Sequence, residues 1–364
     1  KPAREDLPED LPSIIMHTSG TTAAPKGAVM RHNDLIFNVM TTINAQGFRR
    51  GDVHLLVNPM FHCTAMYSSL PTAAYTQTPV ILAAANDAES LLELIARERI
   101  TTFLSVPSIF QRLLSHPDPH RHEVSSLRLM AYAGSMMPLH VIHGLQRLFP
   151  GVELHNFFGL TETICMTHVL TGAEAETRPD SIGRLLPFVM ARIVDPDSLA
   201  ERPPGEVGEL LFARDVVIPA YYNQSGKLEE SLVSLDDRTW FRTGDLAMVD
   251  AEGYFFLRGR RKDMIIVGGE NVYAAEVEEV LVSHPGVVEA AVQGVPARGV
   301  RQSLGESVEA WVVTKDRRPD ERELRRFCFS RLASFKVPVR IHFLPQLPRN
   351  PAGKVLKDNL LPGP

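Results

Sequence analysis

Residues 101–157 read TTFLSVPSIFQRLLSHPDPHRHEVSSLRLMAYAGSMMPLHVIHGLQRLFPGVELHNF. Three short β-prone runs, Thr101–Val106, Leu127–Ala133 and Val152–Phe157, alternate with two stretches of helical spacing, one from Ser108 and one over Leu139–Leu148. Strands joined by helices lie parallel, and a parallel sheet needs cover on both faces. Towards the N-terminus the pattern continues as a helix near Glu89–Glu98, PVILA (79–83) and HLLVN (54–58). Further back, SIIMHT (13–18) is a strand, a loop of Gly, Ser, Thr and Pro runs to Gly27, and Asn33 is positioned to cap a helix carrying Leu35, Ile36, Val39 and Met40. Towards the C-terminus the texture changes at Gly183 to short strands in VMARIVD, GEVGELLFA and DLAMVDAEGYFFLRG, with a hairpin turn at Asp250–Gly253. A polar run, Arg258–Asp263, then leads to a tail of about one hundred residues, a usual size for a separate unit. The expected fold is α/β, with layered α/β sheets in a large domain (1–258, its β-rich part 183–258) and a small α+β domain (259–364).

Composition narrows the function. With 38 Lys and Arg against 43 Asp and Glu, the 364-residue chain carries a formal charge of −5 and no strongly basic block, which argues against a nucleic-acid binder. The three cysteines, Cys63, Cys165 and Cys328, lie far apart, so neither a disulfide framework nor a clustered zinc site is expected, and a cytoplasmic location is the default. No run approaches the roughly 18 apolar residues of a membrane span. The opening KPAREDLPEDLP reads as a linker, and the chain is expected to be a fragment.

Five stretches carry chemistry. HTSGTTAAPKG (17–27) offers hydroxyls, glycines and one lysine after a strand, which suits a polyphosphate, although it is not the common GxxxxGK[ST] loop and a plain surface turn is the alternative. In NFFGLTET (156–163) an aromatic beside Gly can stack a base, and a Thr–Glu pair can hold phosphate and a magnesium ion; a core aromatic and a solvated Glu are the bland readings. FRTGDLA (241–247) and LRGRRKD (257–263) flank the hairpin: Asp245 can accept from a ribose diol and Arg260 can donate to it, while Arg261 reads as part of a solvated run. In PRNPAGKVLK (348–357), Lys354 stands on a loop stiffened by Pro and Gly, although terminal lysines usually only solvate.

In this order the stretches resemble the adenylate-forming superfamily, in its acyl-CoA synthetase branch of AMP-dependent synthetases and ligases. The resemblance also takes in NPMFHC, MAYAGSMMP, GEVGELLF, VGGENVYAAEVEEVL and SFKVPVRIHFLPQ, and so covers nearly the whole chain. It implies that Thr18, Ser19, Gly20, Thr21, Thr22 and Lys26 hold the ATP phosphates, and that Gly134, Ser135, Asn156 and Phe158 form the adenine pocket. Thr161 and Glu162 fall at the phosphate and magnesium positions, with Glu162 as the metal ligand. Asp245 falls at the ribose carboxylate and Arg260 at its partner. Lys262 falls at the swivel, Gly269 on the loop that faces the pantetheine tunnel after rotation, and Lys354 at the lysine of adenylation. His62 falls in the wall of the acyl pocket with Phe61, Met66, Ala131, Gly134 and Leu160. The family's members carry a further N-terminal stretch before the phosphate loop, and Ala23 stands where that loop usually has Gly.

The resemblance implies a ligase that takes a fatty or aryl carboxylic acid, ATP, Mg2+ and coenzyme A, passes through an acyl adenylate and releases pyrophosphate, then AMP. A carrier protein as acceptor is disfavoured, and a homodimer is left open. Two competing classes are a phosphate-loop kinase, which would form ADP, and an inactive nucleotide-binding fragment.

Overall fold

Neighbouring residues of a strand face opposite sides of a sheet, and in Leu129–Tyr132 every side chain is buried. Leu129 and Ala131 join one hydrophobic cluster while Met130 and Tyr132 join another, so this strand is covered on both faces. The computed structural model that shows this describes residues 8–18, 26–297, 299–315, 319–349 and 355–360, the side chains of residues 300 and 301 excepted.

In chain order a hairpin of β1 (Pro12–Thr18) and β2 (Lys26–Arg31) leads into α1 (His32–Gln46), β3 (His54–Leu56), α2 (Leu70–Thr76), β4 (Val80–Leu82) and α3 (Ala88–Glu98). There follow β5 (Thr102–Ser105), α4 (Pro107–Leu114), β6 (Leu129–Tyr132), α5 (Leu139–Leu148), β7 (Glu153–Phe158), β8 (His168–Leu170), the short α6 (Glu174–Thr177) and β9 (Arg184–Leu185). Seven strands form one sheet in the order β4-β3-β5-β6-β7-β8-β9, parallel as far as β7 and antiparallel at β8 and β9. Apolar stripes of α3, α4 and α5, among them Leu92, Ile95, Phe110 and Val141, cover one face. The other face meets the β1–β2 hairpin, α1 and a second sheet through Met16, Met30, Phe157 and Phe212.

That second sheet is antiparallel, built from β10 (Ala191–Val194), β11 (Gly208–Ala213), β12 (Leu232–Leu235), β13 (Arg238–Val249) and β14 (Phe255–Arg260). A single turn at Arg261–Asp263 leads to the hairpin of β15 (Met264–Val267) and β16 (Glu270–Tyr273), then α7 (Ala274–Val282), β17 (Val287–Pro296), β18 (Glu306–Thr314), α8 (Glu321–Phe329) and β19 (Arg340–Phe343). Strands β17, β18 and β19 form a separate sheet, and α7 and α8 pack on it around a hydrophobic cluster of their own that includes Val277, Leu281, Ala310 and Leu324. The α/β architecture and the mixed C-terminal unit agree with the sequence expectation. Among the described residues no helix is long and apolar enough to cross a membrane.

The first fifty residues depart from expectation in two ways. Instead of strand, loop and helix, residues 26–31 form a second strand paired antiparallel with the first, because Ala28 and Met30 alternate into the core. The helix starts at His32, and Asn33 does not cap it. Asp34 accepts from the Arg31 N–H at 2.9 Å and from its guanidinium at 2.8 Å, whereas the Asn33 amide donates to Glu9. The buried face of α1 is polar, with Asn38, Thr42 and Gln46 inward, while Ile36 and Met40 are 41% and 48% exposed.

His168 in β8 is fully buried among the rings of Phe158, Phe212 and Phe255. Its Nδ1 lies 2.9 Å from the Thr167 hydroxyl, and burial holds the imidazole neutral by pushing its pKa down to about 3. The unfolded imidazole takes up its proton near pH 6.5, so this residue costs the fold up to about 1.4 kcal/mol per pH unit as pH falls from 6.5 towards 3, and nothing above that window. In thermal melts, the midpoint of the wild type is expected to fall more between pH 7 and pH 5 than that of His168→Leu. Equal pH dependence in the two would contradict the assignment.

Candidate active site

The β1–β2 hairpin pairs Thr18 with Lys26, so the ends of the loop between them stand side by side at one edge of the hairpin. Ser19, Gly20, Thr21 and Thr22, expected on that loop, lie outside the described residues. The Lys26 ammonium sits over the ring of Tyr221, 4.8 Å from its centroid.

Strand β7 delivers Asn156 and Phe158 to its C-terminal end, where the chain turns tightly through residues 159–163. Thr163 closes the turn: its hydroxyl accepts from the Leu160 N–H at 2.9 Å and lies within donating distance of the Cys165 carbonyl, also at 2.9 Å. Gly159 keeps this turn close-packed: a Cβ would stand 3.1 Å from the Cys165 carbonyl oxygen and from Met166 Cα, tighter than ordinary contact. The turn presents Thr161 and Glu162, both half-buried. Glu162 is held twice: its carbonyl accepts from the Ile218 N–H at 2.9 Å, and its carboxylate accepts from the Tyr221 hydroxyl at 2.9 Å.

His62 and Cys63 lie beside this turn. The His62 Nδ1 accepts from the Thr64 N–H at 3.3 Å, and the chain then enters a π-helical turn, Thr64–Ser69, a form that often marks functional positions. Burial lowers the His62 pKa, which favours the neutral ring. Burial raises the Cys63 thiol, against an opposing side-chain hydrogen bond from Thr161.

Strands β6 and β7 are neighbours, with Tyr132 opposite Asn156, so the exposed Gly134 and Ser135 emerge next to Asn156 and Phe158. The Asn156 amide donates to the Ser181 carbonyl at 2.8 Å, which commits one side of that group to the fold. Phe158 is half-buried with His168 against its ring. Ala131 is fully buried in the core cluster and Phe61 is 62% exposed, so these two expected wall residues sit in opposite environments. Of the two adjacent methionines, Met137 packs into the core and Met136 is exposed.

Asp245 and Arg260 are register partners on β13 and β14, and the Arg260 Nε meets Asp245 Oδ1 at 2.6 Å. Asp245 is thus a buried strand residue. A cavity of about 600 Å³ lies beside the pair, lined in part by Thr243, Gly244, Arg260, Arg261 and Lys262. Arg261 pairs with the exposed Asp197 at 2.7 Å, and Lys262 is exposed in the turn between β14 and β15. Gly268 and Gly269 form the two-residue turn of the β15–β16 hairpin with φ of 62° and 88°, the positive values such a turn requires. Lys354 lies outside the described residues; of its flanks, Arg349 pairs with Glu289 at 2.8 Å and Lys357 with Glu278 at 2.7 Å.

With these positions established, comparison with known proteins gives the family. Residues 1–222 match the AMP-binding enzyme family and residues 276–354 match the AMP-binding enzyme C-terminal domain. The chain belongs to the AMP-binding enzymes. It is 35% identical over 350 residues to an indoleacetate–CoA ligase of Aromatoleum aromaticum, covering 96% of this chain and 66% of that protein. It is 34% identical over 372 residues to a fatty acid–[acyl-carrier-protein] ligase of Streptomyces coeruleorubidus, covering 99% and 69%. Among solved structures it matches the O-succinylbenzoate coenzyme A synthetase of Bacillus subtilis in complex with ATP and a magnesium ion, with a TM-score of 0.85 and 29% identity over 97% of this chain and 70% of that one. The chain spans about two thirds of the length of the curated relatives it matches.

Tyr221 is the residue of this AMP-binding enzyme that sequence reasoning missed. It lies 59 positions from Glu162, and an aromatic in a short apolar segment gives no sign of a partner that far away. The donor set around Glu162 suits magnesium, which binds hard oxygens through one or two carboxylates and completes its shell with water and substrate phosphates. A different group of metal-capable side chains, Glu89, His116 and His122, is already engaged internally: Arg121 pairs with Glu89, and the Asp118 N–H donates to the His116 Nδ1.

Thr163→Val strands the Leu160 N–H inside the turn at a cost of about 1–3 kcal/mol. Its melting midpoint is expected to fall, and Thr163→Ser, which keeps the hydroxyl, to restore it. A valine variant as stable as the wild type would show that the turn does not depend on this bond.

Proposed function

We propose that this AMP-binding enzyme is an ATP-dependent carboxylic acid:CoA ligase. The observation that carries the reading is the grouping of Lys26 and Glu162 through Tyr221, a cation and a carboxylate gathered at the mouth of the hairpin, with Thr161 beside Glu162 in the same turn. The names of its relatives support the same reaction class.

A carboxylate is a poor electrophile, because attack by a thiol would have to expel oxide. In the first half-reaction a carboxylate oxygen attacks the α phosphorus of ATP, the bond to the bridging oxygen breaks, and pyrophosphate leaves. Lys26 and the hydroxyls of residues 18–22 hold the β and γ phosphates, Thr161 adds a further contact to phosphate, and Glu162 would hold the metal. Magnesium, when bound, neutralises phosphate charge. Asp245, kept in place by Arg260, accepts from the ribose diol, and Gly134, Ser135, Asn156 and Phe158 border the adenine. Lys354 steadies the two reacting anions by position and charge rather than by taking a proton.

In the second half-reaction the thiolate of CoA attacks the acyl carbon and AMP leaves with the electron pair. This step needs Lys354 gone and a thiol passage in its place. Rotation of the C-terminal unit (259–364) about Lys262 exchanges the Lys354 loop for the Gly268–Gly269 turn. His62 lines the acyl pocket. The acid is fatty or aryl. The carrier-protein ligase among the relatives gives a second reading, in which a phosphopantetheine thiol on a protein replaces CoA.

A panel of carboxylic acids tests the reading: at least one is expected to drive pyrophosphate exchange into ATP and, with CoA, to yield AMP. ADP as the sole nucleotide product would overturn it. Lys354→Ala is expected to slow adenylation by about 100-fold or more while leaving thioester formation from supplied acyl adenylate near wild type. Equal loss in both half-reactions would contradict the two-state division.

A further inference from the structure

Tyr221 touches two members of the site at once. Its hydroxyl donates to Glu162 Oε1 at 2.9 Å and its ring face lies under the Lys26 ammonium at 4.8 Å, while the residue itself is only 5% exposed. The backbone around it repeats the same connection. The Tyr222 N–H donates to the Gly27 carbonyl at 2.6 Å and the Val29 N–H to the Ala220 carbonyl at 3.1 Å, which ties this segment to β2. The Ile218 N–H donates to the Glu162 carbonyl at 2.9 Å and the Ile164 N–H to the Val216 carbonyl at 3.0 Å, which ties it to the Thr161–Glu162 turn.

We propose that Tyr221 is a positioning residue of the adenylation half-reaction, its phenol fixing the Glu162 carboxylate for magnesium and its ring holding Lys26 at the phosphate end of the same site. The inference rests on the function proposed above. One carboxylate oxygen is occupied by the phenol, which sets the direction in which the other faces. A phenol that donates to an anion has a more electron-rich ring, which favours a cation on its face. The two contacts therefore reinforce each other, and the site meets the metal and phosphates with less reorganisation. Burial, with the charge of Glu162 and the hydrogen bond to it, pushes the phenol's pKa up, so it stays a donor throughout the neutral range.

Tyr221→Phe removes one oxygen and keeps the ring. Loss of a hydrogen bond to a charged group corresponds to about a tenfold to hundredfold effect. The affinity for Mn2+·ATP, read by electron paramagnetic resonance without any acid present, is expected to weaken by about that factor, and the Mg2+ concentration giving half-maximal pyrophosphate exchange to rise in parallel. Turnover of supplied acyl adenylate with CoA is expected to stay at the wild-type rate, because the pyrophosphate and its metal have left by then. In a Glu162→Gln background the same substitution is expected to change Mn2+·ATP affinity less than twofold, since Tyr221 acts through Glu162. Wild-type Mn2+·ATP affinity in Tyr221→Phe overturns the proposal, as does an undiminished effect in the Glu162→Gln background or equal slowing of both half-reactions. Failure of the functional reading itself has a different signature: a wild type that binds Mn2+·ATP but exchanges pyrophosphate with no acid.

Discussion

The arrangement of the site depends on one short segment, residues 216–222. Hydrogen bonds on one part of it reach the strand that follows the hydroxyl-rich loop, and those on another part reach the turn that carries Glu162. Without it, the β1–β2 hairpin and the end of β7 would be separate features on one face of the large sheet. With it, Lys26 and Glu162 become neighbours of a single tyrosine ring. Buried backbone groups have to be paired, and here the pairing that satisfies the segment also brings the two polar groups together.

The rest of the large unit supports this point. The central strands are apolar on both faces, so the sheet is fixed from two sides, and its polar features collect where β6 and β7 end. Ligands of open α/β sheets bind at the carboxyl ends of the strands for this reason. The antiparallel sheet adds a second fixed feature, Asp245 locked to Arg260 across a hairpin, next to a cavity that reaches the turn leading to the C-terminal unit. The C-terminal unit has its own hydrophobic cluster, and a single turn of chain, Arg261–Asp263, joins it to the rest. A small unit with its own core and a short connection is suited to move as a body.

Much of this was legible in the sequence because apolar period carries the information. The helix read over Leu139–Leu148 has those bounds in the structure, and the strands around it fall within a residue or two of their expected places. What escaped reading depends on contacts far apart in the chain or on polar residues facing inward. Strand β2 begins with a lysine and follows a loop without a hairpin signature. In α1, the apolar Ile36 and Met40 face outward while Gln46 bonds the buried His155 at 3.0 Å, so its pattern misleads. Asp245 and Arg260 were legible as a pair because the hairpin between them is short. Tyr221 was not, because its partners Lys26 and Glu162 are set by the fold alone.

In the proposed first half-reaction an acid's own oxygen becomes bonded to the α phosphorus. The most direct measurement uses a turned-over acid labelled with ¹⁸O in both carboxylate positions, followed by mass spectrometry of the nucleotide and phosphate products. One labelled oxygen is expected in AMP and none in pyrophosphate. Unlabelled AMP, or label recovered in inorganic phosphate, would contradict it.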